Sequence, residues 1–103
     1  LPLAFQRDCT HPRHTRHIFA IVLDGSARLG RDALLLALRA RNLGATIHYD
    51  PLHVMPLYNG HSPPPALPHA ERVGRAILTL PIGACVTDDD AREVAAAVRG
   101  LLG

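Results

Sequence analysis

The chain has 103 residues, 48% of them hydrophobic, and a formal charge of +2 with histidine neutral. That length admits one domain burying about 65% of its unfolded surface, and a charge so small and evenly spread gives no footing for nucleic-acid binding. All eleven Lys-plus-Arg positions are Arg, so the chain has no lysine with which to form a Schiff base or act as a general base.

Residues 1–16 carry Pro2, Pro12 and three Arg and read as an irregular arm, with a single domain over 17–103. His11, His14 and His17 recur every third position, but Pro12 keeps that stretch extended and no metal site is expected there. Ile18–Leu23 is apolar and β-branched, the pattern of a strand covered on both faces. Asp24-Gly25-Ser26 ends it with turn chemistry. A helix is expected from Gly30 to Leu43, with Asp32 in its first turn and Arg39 and Arg41 in its last. Leu34, Leu35 and Leu38 form its apolar stripe, and Gly44 stands where a left-handed residue would close it.

Ala45–Tyr49 reads as a second strand, with Ala45, Ile47 and a buried Tyr49 on one face and Thr46, His48 and Asp50 on the other. Pro51 stops it. The loop that follows, to Asn59, holds His53, Pro56 and Tyr58, and a strand ending in such a polar, aromatic loop is how a scaffold presents side chains to a ligand. His61–Pro65 reads as a stiff proline insert. A helix with Pro68 in its first turn runs to about Ala76, with Ala70, Val73 and Ile77 inward. Ile77–Ile82 is the third strand. Thr87 caps a last helix, with Asp90 completing a capping box and Val94, Ala95, Val98, Leu101 and Leu102 on its core face.

The expected fold is α+β, an α/β-like small domain with a small mixed or antiparallel three-stranded sheet and helices mainly on one face. Cys9 and Cys85 lack any pairing spacing and are expected to be reduced. The apolar runs 18–23 and 33–38 are far too short to span a membrane, and no signal segment opens the chain. The one Met is Met55, so the chain is expected to be a piece of a longer one or a processed product.

The string RDALLLALRARNLGATIHYDPLHVMPLYNG, Arg31 to Gly60, resembles the C-terminal part of the DegT/StrS-type sugar aminotransferases. Those enzymes show an Arg-Asp helix start, then His-Tyr-x-Pro-Leu-His and a Pro-x-Tyr. Upstream, RHIFAIVLD matches their first strand. Downstream, LPHAERVGRAILTLPIGACVTDDD matches their Pro-x-Ala-Glu helix, Leu-Ser-Leu-Pro strand and acidic cap. The likeness covers about residues 16–102. Thr79 stands for the usual Ser, and Gly83-Ala84-Cys85 and HSPPP depart from the common loops.

The resemblance implies the small domain of a pyridoxal-phosphate enzyme that moves an amino group, usually from glutamate, onto a nucleotide-linked keto sugar. Such enzymes serve cell-surface polysaccharide or secondary-metabolite sugar synthesis. It implies a cytoplasmic homodimer in which a large domain of the same polypeptide holds the cofactor, so this chain alone should bind none and be inactive. It places His53, Tyr58 and His48 at the substrate. Imidazole and phenol suit sugar hydroxyls or phosphate oxygens. Apolar surface normally facing the large domain should then be exposed near the His-Tyr loop and the first strand. The competing reading is a stand-alone nucleotide-sugar binding module without catalysis. A metal site on His48 and His53 is disfavoured because their spacing of five puts them on neither one helix face nor one strand face.

Overall fold

The computed structural model describes residues 1–8, 14–58 and 65–103; Cys9, His11 and most of the HSPPP segment lie outside them. Three strands form one antiparallel sheet in the order β1-β2-β3: β1 Leu3–Phe5, β2 Phe19–Leu23 and β3 Ile77–Leu80. Three α-helices join them, α1 Arg31–Arg39, α2 Pro68–Ala76 and α3 Asp88–Leu102. The α+β class with a three-stranded sheet is as expected, but one strand is a different segment.

The first strand comes from the stretch read as an irregular arm. Leu3, Ala4 and Phe5 pair with Leu23, Val22 and Ile21, and the Asp24 N–H donates to the Pro2 carbonyl at 2.8 Å. Three residues are too few for alternation to register in sequence. Leu3 packs on the core, and the Phe5 and Phe19 rings meet at 5.9 Å between centroids.

The expected strand 45–49 shrinks to one rung. Thr46 and Thr79 exchange both backbone hydrogen bonds, at 3.1 and 2.8 Å, on the free side of β3. The neighbouring rungs of such a ladder would fall two residues away, joining His48 to Ile77 and Gly44 to Pro81. The Ile77 N–H is already donated to the Val73 carbonyl to close α2, and Pro81 has no N–H. The ladder therefore stops at once. Ala45 stays buried and Ile47 packs on the core, but the alternation fails at Tyr49, which is 67% exposed rather than buried.

Helix α1 ends earlier than expected, and by a different residue. Asn42, at φ 60°, takes the left-handed position assigned to Gly44. Its N–H reaches the Arg39 carbonyl at 2.9 Å while the Leu43 N–H reaches the Leu38 carbonyl at 3.1 Å, the paired bonds of a Schellman closure. Asn tolerates this conformation because its short amide side chain bonds locally.

Ile21 and Leu78 sit opposite each other in the sheet and are fully buried, as are Leu34 and Leu38 of α1. Val94, Ala97, Val98 and Leu102 of α3 complete the core. In α2 the expected inner residue Ala70 is exposed and Gly74 is the buried one. Among the described residues, no helix is long and apolar enough to cross a membrane.

The capping box of α3 forms as read. Thr87 Oγ1 accepts the Asp90 N–H at 3.2 Å, and Asp90 Oδ2 accepts the Thr87 N–H at 2.8 Å. The Thr87 hydroxyl, then its backbone N–H, hold the Asp90 carboxyl below its ordinary value. Because α3 supplies a third of the core face, Thr87→Ala is expected to cost about 1 kcal/mol, read as a lower urea midpoint at unchanged slope.

Candidate functional site

The loop from Ile47 to Tyr58 leaves β3 after the single Thr46 rung and is fastened at three places. The first is His48, whose Nδ1 lies 3.1 Å from the hydroxyl of Thr79, a buried residue of β3. The second is Pro51. A Cβ added to Gly74 would stand 2.5 Å from Pro51 Cδ and 2.6 Å from Cγ, so the proline ring lies directly on bare helix backbone. Only glycine leaves room for that approach. Arg31 holds the same spot from behind, donating Nη1–H to the Gly74 carbonyl at 2.9 Å.

The third fastening is His53, in the short 3₁₀ turn Leu52–Val54. Its Nε2–H donates to Glu71 Oε1 at 3.3 Å, and the same oxygen accepts the Leu67 N–H at 3.1 Å. Leu67 is the residue before Pro68, so Glu71 satisfies a donor that the start of α2 leaves free. The Leu67 N–H first, and the His53 ring second, hold the Glu71 carboxyl below its usual value. Arg75 adds a longer contact, Nη1 to Glu71 Oε2 at 3.5 Å.

The residues singled out from sequence thus sit differently. The His53 side chain is only 10% exposed and paired. His48 is half-buried and paired. Tyr58 is 61% exposed. Sequence reading missed the residues that seat the loop: Thr79, Gly74 and Glu71. Glu71 carried a signal, since it lies four residues after Leu67 and three after Pro68, where the first turn of a helix can use a carboxylate. Gly74 offered only its place inside a helix, where glycine is costly and hence informative.

Tyr49, Leu52, Leu57 and Tyr58 of this loop are all exposed, Leu57 to 83%. The expected apolar surface is therefore present at the loop. It is absent from β2, none of whose residues is exposed because β1 covers its edge. Two concavities lie elsewhere: a cleft of about 650 Å³ edged by Arg31, Arg72 and Arg75, and an apolar groove of about 340 Å³ between the sheet and α3. Neither includes His48, His53 or Tyr58. The exposed side chains of the loop give it the form of an open wall.

Of the N-terminal histidines, His14 accepts the Arg16 N–H through Nδ1 at 3.0 Å. Cys85 is free and exposed.

Comparison with known proteins gives this wall a context. The model of the DegT/DnrJ/EryC1/StrS aminotransferase family matches residues 2–99. Among solved structures, the chain is similar to DesV of S. venezuelae, in complex with a ketimine intermediate, at 32% identity and TM-score 0.82, covering 97% of this chain and 26% of that one. It is similar to DesI, solved in the presence of its TDP-sugar product, at 26% identity and TM-score 0.83, covering 95% of this chain and 25% of that one. A DegT DnrJ EryC1 StrS aminotransferase from Brucella abortus matches at 25% identity and TM-score 0.79, over 99% of this chain and 26% of that one. The chain spans about a quarter of the length of these structures. With its strand order, its loop and its α2 start all falling within the matched residues, the chain belongs to the DegT/DnrJ/EryC1/StrS aminotransferase family.

Proposed function

We propose that this chain is the small domain of a pyridoxal-phosphate-dependent sugar aminotransferase and that its Ile47–Tyr58 loop forms one wall of the substrate cleft. The observation that carries the reading is the family match over residues 2–99 in a chain a quarter the length of its relatives. The DesI structure with a TDP-sugar product supports a nucleotide-linked sugar as substrate. Glutamate is the amino donor, and the cytoplasm is the place of action. The product enters cell-surface polysaccharide or secondary-metabolite sugars, and the longer polypeptide works as a homodimer.

The residues of this chain do not fit the cofactor's covalent anchor. Pyridoxal phosphate is held through a lysine amine, and the sequence has none. The anchor therefore belongs to the remainder of the longer polypeptide. What this chain brings is recognition. Tyr58 offers an exposed phenol, and His53 and His48 offer ring nitrogens held in place by Glu71 and Thr79. The exposed Leu52 and Leu57 close against the large domain and keep water from the bound sugar.

The test follows 2-oxoglutarate release from glutamate with a nucleotide-linked keto sugar. The 103-residue chain alone is expected to show no turnover, and the longer polypeptide to turn over. Transamination by the isolated chain would overturn the proposal. Calorimetric binding of the nucleotide sugar by the isolated chain, with no activity in the longer polypeptide, would replace it with a stand-alone binding module.

A further inference from the structure

We propose that Glu71 is a positioning residue that fixes which nitrogen of His53 meets the substrate, and that the group met is a hydroxyl of the sugar rather than a phosphate. This deepens the reading above and rests on it.

Glu71 Oε1 is committed twice, to the Leu67 N–H at 3.1 Å and to His53 Nε2 at 3.3 Å. A carboxylate only accepts, so the ring proton must sit on Nε2. The neutral imidazole has one N–H and one lone pair, which leaves Nδ1 as an acceptor. Nδ1 carries no hydrogen bond to any described residue. The side chain as a whole is 10% exposed.

An unprotonated Nδ1 attracts an O–H donor and repels a phosphate oxygen, which is itself an acceptor. The backbone supports the same orientation. Pro51 is seated on Gly74, one helical turn after Glu71, so both ends of the Pro51–His53 segment rest on the same face of α2. The ring cannot rotate without breaking the Glu71 bond or lifting the proline off the helix. Arg75 reaches the other oxygen, Oε2, at 3.5 Å and leaves Oε1 to His53 and Leu67. A ligating partner that holds one ring nitrogen and so sets the role of the other is a general device of histidine sites.

The test has two arms. In the 103-residue chain, the His53 ring nitrogens are observed by ¹H–¹⁵N correlation at alkaline pH. We expect protonated Nε2, with a ring N–H slow enough in exchange to be seen; it disappears in E71A and persists in E71Q, whose amide oxygen still accepts. The wild-type spectrum decides the tautomer without any variant, and a proton on Nδ1 overturns the proposal even if E71A fails to fold. In the longer polypeptide, H53A and E71A are each expected to lower kcat/KM for the nucleotide sugar about ten-fold. The double variant should lose no more than either single one, and E71Q should recover most of the loss. Additive losses, or E71Q as impaired as E71A, overturn the role of Glu71 alone. Full activity of H53A overturns the reading of His53 as a substrate contact, and the proposal with it, whatever the spectrum shows.

Discussion

Replacing Gly74 with alanine is expected to dislodge the Ile47–Tyr58 loop at a cost to global stability of about 2 kcal/mol at most. The new Cβ would lie 2.5 Å from Pro51 Cδ, well inside the 3.5–4.0 Å at which carbon atoms attract. A long side chain could swing away from such a contact. A proline ring cannot, because it is part of the backbone, so the loop itself must move. Two opposing terms then act on stability. Alanine gains about 1 kcal/mol over glycine inside a helix, and overpacking costs about 1–3 kcal/mol. Their sum is a loss of about 2 kcal/mol at most. The displacement has no such compensation. In ¹H–¹⁵N spectra, shifts should concentrate at Leu52–Tyr58 and Glu71, leaving Val94–Leu102 in place. In the longer polypeptide, a misplacement near 1 Å should lower turnover about 100-fold. Spectra perturbed evenly through the domain, or unchanged at the loop, would contradict the close approach of Pro51 to α2.

Leu38→Ala is expected to have the largest effect on folding. Leu38 is fully buried in the core, on a helix that contacts β3 and α3, and stands at the turn where α1 is closed by Asn42 and Leu43. Removing its branched end leaves a cavity and costs about 3 kcal/mol, within the usual span for buried leucine. A domain of this size has about 5–15 kcal/mol in all, and its midpoint moves about 4–8 °C for each kcal/mol. The expected drop in Tm is therefore roughly 12–24 °C. Leu36, two residues away, is 67% exposed. Its alanine variant should fall within about 0.5 kcal/mol of the parent, so the pair separates burial from helix propensity in one thermal series. Equal losses in both would show that α1 does not present the face described.

Much of this architecture was legible because strong periodicity leaves few alternatives. The Leu34, Leu35 and Leu38 stripe, the Thr87–Asp90 cap and the β2 run each state their structure locally. Pro68, read as lying in the first turn of α2, is its first residue. What escaped depends on partners distant in sequence. β1 is a strand only because Val22 lies opposite Ala4. Thr46 forms one rung because of what Ile77 and Pro81 cannot offer. Gly44 was the expected helix closer, but Asn42 turns left-handed two residues earlier and Leu43 packs against the core. The loop was legible as a presenter of polar side chains, because proline, tyrosine and histidine announce themselves. Its seats were not, since the signals at Glu71 and Gly74 name no partner, and Thr79 gives none, until His53, Pro51 and His48 are placed on them.

The single rung at Thr46 bears on association between molecules. Exposed strand edges recruit strands from other chains when they present a continuous row of unpaired donors and acceptors. Past Thr79, that margin of β3 presents a prolyl nitrogen at one end and an amide spent on a helix carbonyl at the other. A foreign strand laid along it would find no second hydrogen-bonded pair to continue the zipper. The same two residues that cut short the native ladder thereby guard the sheet against fibrillar growth on that side.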